Sequence, residues 1–344
     1  MKKVTKTSSR KADHIRINLE EEVSSNLTTG FERFAFLHEA LPDIDLAEIS
    51  LSQSLFGKLI KSPIIISSMT GGSEEANQIN LNLATAAEKT GIAMGVGSQR
   101  AAIEDPKLAS SFLIRSEAPN CILFANIGAI QLNYGFSIED CQRAIDMIEA
   151  DALILHLNSL QEAVQPEGDT NFKGLLQKIE KVCSLLEVPV IAKEVGWGFS
   201  GKTARKLADA GISAIDIAGA GGTSWTQVEM YRADSPQQRR LASSFVDWGI
   251  PTADSIIQVK KAVPDLLIFA SGGLRSGLDI AKSIALGASA GGMAGPFLKA
   301  AAQSVDHVID LISETTNQIR ITMFGAGVDS IKKLQKMKLI KKIQ

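Results

Sequence analysis

Eight polar clusters hold the residues of this 344-residue chain that could do chemistry, and each follows a short apolar run. In chain order they are Ser68-Met69-Thr70-Gly71-Gly72, Gly97-Ser98-Gln99-Arg100, Asn126-Ile127-Gly128, His156-Leu157-Asn158-Ser159-Leu160-Gln161-Glu162, Lys193-Glu194-Val195-Gly196, Gly219-Ala220-Gly221-Gly222-Thr223, Ser271-Gly272-Gly273-Leu274-Arg275 and Gly291-Gly292-Met293-Ala294-Gly295. The last three are glycine-rich, and exposed backbone N–H groups in such loops bind phosphate. One such loop is ordinarily only a turn; three together point to a phosphate group. Lys193 ends an apolar run, where a cation serves as a Schiff base, a phosphate partner or a partner for an anionic ring. Neighbours on a strand face opposite sides, so Glu194 is not its expected ion-pair partner, whereas His156 and Asn158 share one side. With Gln161 and Glu162 these two form a polar wall suited to a substrate. Glu162 has no His or Cys cluster around it, which argues against zinc; one carboxylate completed by substrate phosphate oxygens suits Mg²⁺. Arg10, Lys11 and His14 put three cations on an N-terminal arm. Asp216, inside an apolar run, reads as structural, and His38 and His307 lack a strand-end setting.

The elements that must position these clusters repeat with a clear rhythm. Ile64–Ile66, Ile92–Met94, Cys121–Phe124, Ala152–Leu155, Val190–Ala192, Ala214–Ile217, Leu266–Phe269 and the weaker Ala288–Ala290 are continuous apolar runs, as a parallel sheet buried on both faces requires. Helix-period segments alternate with them: 76–90, 138–149, 172–186, 202–210 and 255–263, with Gly91, Gly211 and Gly287 where left-handed C-terminal turns would sit. Eight strands and eight crossovers make an α/β protein with a (β/α)8 barrel, whose active site lies at the C-terminal strand ends. A doubly wound sheet is the alternative, but it lacks its G-x-G-x-x-G turn after the first strand. The chain divides into an arm and irregular lid over 1–60, a barrel over 61–330 with a long polar connection at 223–248 after strand six, and a basic amphipathic helix over 331–344.

Composition narrows the function. The formal net charge of -2 gives no general attraction to nucleic acid. Cys121, Cys141 and Cys183 are isolated, which removes a disulfide framework and a C-x-x-C pair and fits a reducing cytoplasm. The basic-then-acidic N-terminus has no apolar core of a signal peptide, and no apolar run approaches about 20 residues, so no membrane association is expected.

On Arg10-Lys11-x-x-His14, Met69-Thr70-Gly71-Gly72, Gly97-Ser98-Gln99-Arg100, His156-x-Asn158-Ser159-x-Gln161-Glu162, Lys193-Glu194-Val195-Gly196, Gly221-Gly222-Thr223 and Ser271-Gly272-Gly273-Leu274-Arg275, the chain closely resembles the type 2, flavin-dependent isopentenyl diphosphate isomerases. The resemblance covers nearly the full length. It implies FMN, Mg²⁺, NADPH for the initial flavin reduction, and conversion of isopentenyl diphosphate to dimethylallyl diphosphate in isoprenoid biosynthesis by a homotetramer or larger homo-oligomer. It implies that Ser68, Met69, Thr70, Gly71, Ser98, Asn126, Lys193, Thr223, Gly272, Gly273, Leu274, Arg275, Ala294 and Gly295 hold FMN. Arg10, Lys11, His14, Ser98, Gln99, Arg100, His156, Asn158 and Gln161 would face the substrate, and Glu162 the Mg²⁺. Gln161, Lys193 and His156 would be catalytic, with Lys193 beside an anionic reduced flavin and Gln161 at the alkene. One departure is the run Ile217-Ala218-Gly219, where a serine is expected in many members. Moving a double bond by one position needs one proton delivered and one removed with no net redox change. The mouth shows no pair of Asp, Glu or Cys arranged for that, and the resemblance implies that a reduced flavin would supply the proton there. The alternatives are an FMN-dependent 2-hydroxy-acid oxidoreductase, which needs a late-barrel His that 223–248 lacks, a Schiff-base aldolase on Lys193, and a non-catalytic flavin-binding barrel.

Overall fold

The structure, a computed structural model, describes residues 6–69, 71 and 74–342; the side chains of 6–12, 74 and 75 also lie outside the description. Eight parallel strands close into a barrel: β1 (Ile64–Ile66), β2 (Ala93–Gly95), β3 (Leu123–Gly128), β4 (Ala152–Leu157), β5 (Val190–Glu194), β6 (Ala214–Asp216), β7 (Leu267–Ala270) and β8 (Ala290–Met293). All eight apolar runs expected from sequence are strands, the weakest displaced a few residues along the chain. The helices are α1 (Lys6–Glu20), α2 (Glu74–Thr90), α3 (Arg100–Glu104), α4 (Ile138–Ile148), α5 (Ser159–Val164), α6 (Leu175–Leu185), α7 (Gly201–Asp209), α8 (Trp225–Arg232), α9 (Pro236–Ser243), α10 (Thr252–Ala262), α11 (Gly277–Ala285), α12 (Gly295–Ala301) and α13 (Val305–Gly325). Gly91, Gly211 and Gly287 each take positive φ at a helix end, where a side chain would be strained.

The period-two rule explains why the runs are apolar throughout. One side of each strand, including Ile64, Ile66, Leu153, Leu155, Ile215 and Ile268, packs outward on the helices. The other side fills the barrel with Ile65, Ala93, Phe124, Ile154, Ile191, Ala214, Phe269 and Ala290. Two residues further along the inward side, the chemistry changes from apolar to polar: Asn126, His156, Lys193, Asp216 and Ser271 stand at the C-terminal end. Hydrogen-bond register aligns Gly128, His156, Lys193 and Asp216 in one row across β3 to β6.

Three expectations for the flanking segments need correction. Residues 1–60 are not one arm with an irregular lid. They contain α1 and also an antiparallel hairpin, Gln53–Leu55 with Lys58–Ile60, whose Leu55, Phe56 and Ile60 join the cluster inside the barrel and plug its N-terminal end. Phe56 and Gly57 both have positive φ, the geometry of a two-residue hairpin turn. The Phe56 ring lies 6.1 Å, edge to face, from both Phe124 and Phe269, and that apolar contact offsets the strain. The 223–248 connection is not an open loop but carries α8 and α9. Among the described residues the expected amphipathic helix over 331–344 does not form: a four-residue helix, Ile331–Leu334, gives way to a strand, Ile340–Lys341, paired with Phe34–Ala35. There Met337 and Leu339 pack on the core with the alternation of a strand. No helix among the described residues is long and apolar enough to cross a membrane.

Candidate active site

The inward polar row is tied together side chain to side chain. Lys193 is buried and donates through Nζ to Asp216 Oδ2 at 2.7 Å and to Ser271 Oγ at 3.2 Å, while Ser271 donates to Asp216 Oδ1. Lys193 therefore reaches the mouth as part of an ion pair, and Asp216 is its partner. A buried ammonium needs such a counter-charge, because desolvation otherwise disfavours it. Glu194 faces the other way, as the alternation requires, and its Oε2 accepts the backbone N–H groups of Val195, Gly196 and Trp197. Burial pushes its carboxyl up to about 7 despite those donors. His156 Nδ1 lies 2.8 Å from Asn126 Oδ1, and Asn126 Nδ2 donates to the Val96 carbonyl. Gly128 leaves the space His156 occupies, since a Cβ there would stand 3.1 Å from Nε2.

The start of α5 supplies the next layer. Asn158 Nδ2 donates to Gln161 Oε1 at 3.2 Å and to Glu162 Oε1 at 2.9 Å; Glu162 Oε2 accepts from Gln165 Nε2 and from the Asp169 N–H. Gln161 Nε2 reaches Glu229 Oε1, on α8, at 3.1 Å. The same oxygen lies 3.2 Å from His14 Nε2, and Arg232 pairs with the other carboxylate oxygen. Burial alone would raise the Glu229 carboxyl; His14 and Arg232 overcome it and hold it down at about 2. His14 also meets Trp225 edge to face at 5.0 Å, and Ile17 packs with Val23 and Val228, so α1 lies against α8. The chain after α1 pairs with the loop after β6: Ser25 N–H donates to Gly222 O, and Ser224 N–H to Val23 O. Thr223 Oγ1 points to Asn18 Oδ1 at 3.5 Å.

Not every expected residue arrives at the mouth. Gln99, expected at the substrate, is fully buried and turned to the outer layer, where Nε2 donates to the Ala144 carbonyl and Oε1 accepts the Asn126 N–H. It braces β3 instead. Arg100 is at the β2 end, with Nε on Glu104 at 2.7 Å and Nη1 on Asp169 at 2.9 Å. Ser98 sits half-buried beside it. Thr70 and the side chains of Arg10 and Lys11 lie outside the described residues.

The glycine loops after β6 and β7 pack backbone on backbone. A Cβ on Gly272 would stand 2.2 Å from Gly219 O, and one on Gly273 would stand 2.3 Å from Gly221 O. Ala218, before them, holds φ +38°, and its N–H donates to Ser271 Oγ. Leu274 is buried beneath this layer, whereas Arg275, Ala294 and Gly295 are exposed, and a Cβ on Gly295 would meet nothing within 4 Å. Beside β1, the Ser67 and Ser68 hydroxyls are buried with no hydrogen-bond partner, Met69 is half-buried, and Gly71 is pressed on the Phe112 ring. Orphaned hydroxyls next to an open glycine rim fit a bound polar ring and phosphate. Asn158 Oδ1 is likewise buried without a partner, next to Glu162. Among the described residues no three His, Cys, Asp or Glu gather as a metal ligand set. The thiols take no part: burial pushes Cys121 and Cys141 up to about 12 and Cys183 to about 11.

A family model described as FMN-dependent dehydrogenase matches residues 6–110 and 145–341. The chain is 53% identical over 339 residues to an isopentenyl-diphosphate delta-isomerase of Nostoc sp., covering 98% of this chain and 97% of that one. Relatives bearing the same name from Synechocystis sp. and Rickettsia bellii are 52% and 51% identical, covering 97% and 96% of this chain and 96% of each relative. The chain belongs to the isopentenyl-diphosphate delta-isomerase family, within the FMN-dependent dehydrogenases. A solved mandelate oxidase structure superposes with a TM-score of 0.70 at 19% identity, covering 98% of this chain and 100% of that one, which shows a shared fold. Within this isomerase family member the late-barrel histidine of the oxidase reading has no counterpart: the one histidine after His156 is His307, which bonds Ser304 at the start of α13.

Two residues of the isomerase mouth escaped the sequence reading, Glu229 and Trp225, and a third, Asp216, read there as structural, is the ion-pair partner of Lys193. Asp216 carried a signal, being a carboxylate two residues beyond Ala214 on the inward side of a strand whose neighbour presents Lys193 at the same level. Glu229 and Trp225 carried a weaker one. Their spacing of four puts them on one face of a helix, but nothing local marks 225–232 as helical rather than polar loop.

Proposed function

We propose that the protein interconverts isopentenyl diphosphate and dimethylallyl diphosphate, with reduced FMN and Mg²⁺, as a step of isoprenoid biosynthesis. The observation that carries this reading is that every carboxylate described at the mouth is already engaged: Asp216 by Lys193 and Ser271, Glu162 by three donors, Glu229 by His14, Gln161 and Arg232. Among the described residues no protein acid and base stand ready as a matched pair, which suits a reaction whose proton traffic runs through a cofactor. Bound reduced FMN would supply a proton-carrying ring; the glycine loops after β6 and β7, Ala294, Gly295 and the orphaned Ser67 and Ser68 hydroxyls are the groups that would hold it. Lys193, fixed by Asp216, presents a donor to an anionic ring. Gln161, whose amide is fixed from both ends by Asn158 and Glu229, orients the alkene, and His156, fixed by Asn126, faces the substrate beside it. Glu162 Oε1 and Asn158 Oδ1 are hard oxygen donors that suit Mg²⁺ shared with a diphosphate. Helix α1 brings His14, and with it Arg10 and Lys11, over the same end of the barrel. NADPH serves only to reduce the flavin at the outset, since the cycle itself is redox-neutral, and the working form is a cytoplasmic homotetramer or larger homo-oligomer.

The test is direct. Purified protein is expected to be yellow and to release FMN on denaturation. Reduced with dithionite under nitrogen, with Mg²⁺ in deuterated buffer, it is expected to exchange deuterium into isopentenyl diphosphate. A flavin-free protein, or a flavin-loaded one inert toward the diphosphate, overturns the proposal.

A further inference from the structure

Asp169 lies in the turn after α5, away from the barrel strands, and it joins three of the strand-end loops. Gly168 makes this possible: a Cβ there would stand 1.7 Å from the Glu162 carbonyl oxygen, so the turn presses flat onto α5 only with glycine at that position. The Asp169 N–H thereby comes within 2.7 Å of Glu162 Oε2, the oxygen that Gln165 Nε2 also fills. Its carboxylate points back across the mouth. Oδ2 accepts from Arg100 Nη1 at 2.9 Å and from Gln131 Nε2 at 3.2 Å. Arg100 follows β2, Gln131 follows β3 and Glu162 follows β4, so one residue sets the spacing of three consecutive loops.

This arrangement has two chemical consequences. Glu162 Oε2 carries two donors and Oε1 carries one, Asn158 Nδ2, so the carboxylate has one oxygen rather than two to offer a cation. One-oxygen ligation suits Mg²⁺, which keeps near-ideal octahedral geometry, better than the larger Ca²⁺. The Arg100 guanidinium is held at Nε by Glu104 and at Nη1 by Asp169, which fixes its plane before any ligand arrives. We propose that Asp169 is a positioning residue that sets Arg100 and the Oε1 edge of Glu162 at a fixed spacing as two walls of one diphosphate and Mg²⁺ site. The inference rests on the isomerase reading, which brings the diphosphate and the cation there.

The experiment titrates inorganic pyrophosphate, with and without Mg²⁺, into full-length FMN-loaded protein by calorimetry, alongside steady-state kinetics. Asp169→Ala is expected to weaken Mg²⁺-pyrophosphate binding about tenfold and to raise KM for isopentenyl diphosphate in parallel, with kcat within about threefold and the flavin spectrum unchanged. Asp169→Asn, which keeps the size and one acceptor oxygen, is expected to lose less, and it decides the matter if the alanine variant does not fold. Because the two residues act through one another, Arg100→Ala combined with the Asp169 variant is expected to cost less than the product of the single losses. Unchanged pyrophosphate binding in both Asp169 variants, a fall confined to kcat, or multiplicative losses would overturn the proposal while leaving the isomerase reading intact. Wild-type protein that retains FMN but binds no Mg²⁺-pyrophosphate removes that reading and the proposal together.

Discussion

Glu229 receives donors from three places: His14 on α1, Gln161 on α5 and Arg232 on its own helix. Its carboxyl is held at about 2, below the ordinary 4.5, so its contribution to stability is complete above about pH 4.5 and is lost as pH falls toward 2. Urea unfolding from pH 6 to pH 3.5 should therefore show the wild-type advantage over Glu229→Gln shrinking with acid; a constant gap would contradict the assigned ion pair. Lys193→Ala is expected to weaken flavin retention, read as free FMN after gel filtration, and also to leave Asp216 buried without its counter-charge, at a cost of about 3 kcal/mol. Glu162→Gln is expected to raise the Mg²⁺ concentration needed for half-maximal activity while leaving the flavin spectrum unchanged. At this scale the sequence was informative wherever a residue type is unusual for its element. A lysine and a histidine at the end of apolar strands announce themselves. A buried aspartate on the next strand reads only as structural, because the lysine it pairs with lies beside it in space but 23 residues away in sequence.

Among the elements, the hairpin and α1 close opposite ends of the barrel. The hairpin carries Phe56 onto Phe124 and Phe269, which stack on each other at 6.1 Å with an 8° interplanar angle. Phe56→Ala should destabilise the protein by about 3 kcal/mol in chemical denaturation, with KM and flavin content unchanged, because the plug lies at the end remote from the chemistry. Deleting residues 1–20 should act at the other end: KM rises while FMN stays bound, since α1 packs on α8 and meets the loop after β6 through Asn18 at Thr223, not the glycine loop after β7. Strand and crossover positions were legible because burial on two faces demands continuous apolar runs and helix burial demands a 3.6-residue period. The hairpin, α8 and the C-terminal strand were not. Each is too short for periodicity to declare it, and each is stabilised by what it packs against.

At the scale of the whole molecule, the face formed by α13 and residues 34–48 leaves apolar side chains in water. Leu41, Ile44, Leu46 and Phe324 line a groove of about 960 Å³ that is rimmed by Asp43, Asp45, Glu48 and Asp329, and Leu37, Leu278 and Ile321 line a second of about 310 Å³. Leu41 is 87% exposed and Ile321 61%. Apolar surface gathered in this way is characteristic of subunit contacts. Light scattering after gel filtration is expected to give a mass several times 36.8 kDa, and Leu41→Glu with Ile321→Glu is expected to lower it; a monomeric wild type would rule the contact out. What the sequence determined by itself was the architecture and the inventory. Eight buried runs followed by polar clusters specify a barrel with its chemistry at one end, since the patterns of burial and of turn residues are local properties. What only the tertiary structure decided was partnership. Lys193 with Asp216, Glu229 with both Gln161 and His14, and Arg100 with Asp169 are contacts between residues 23 to 215 positions apart. Barrel closure brings such residues to one mouth, and no local pattern records which of them will meet.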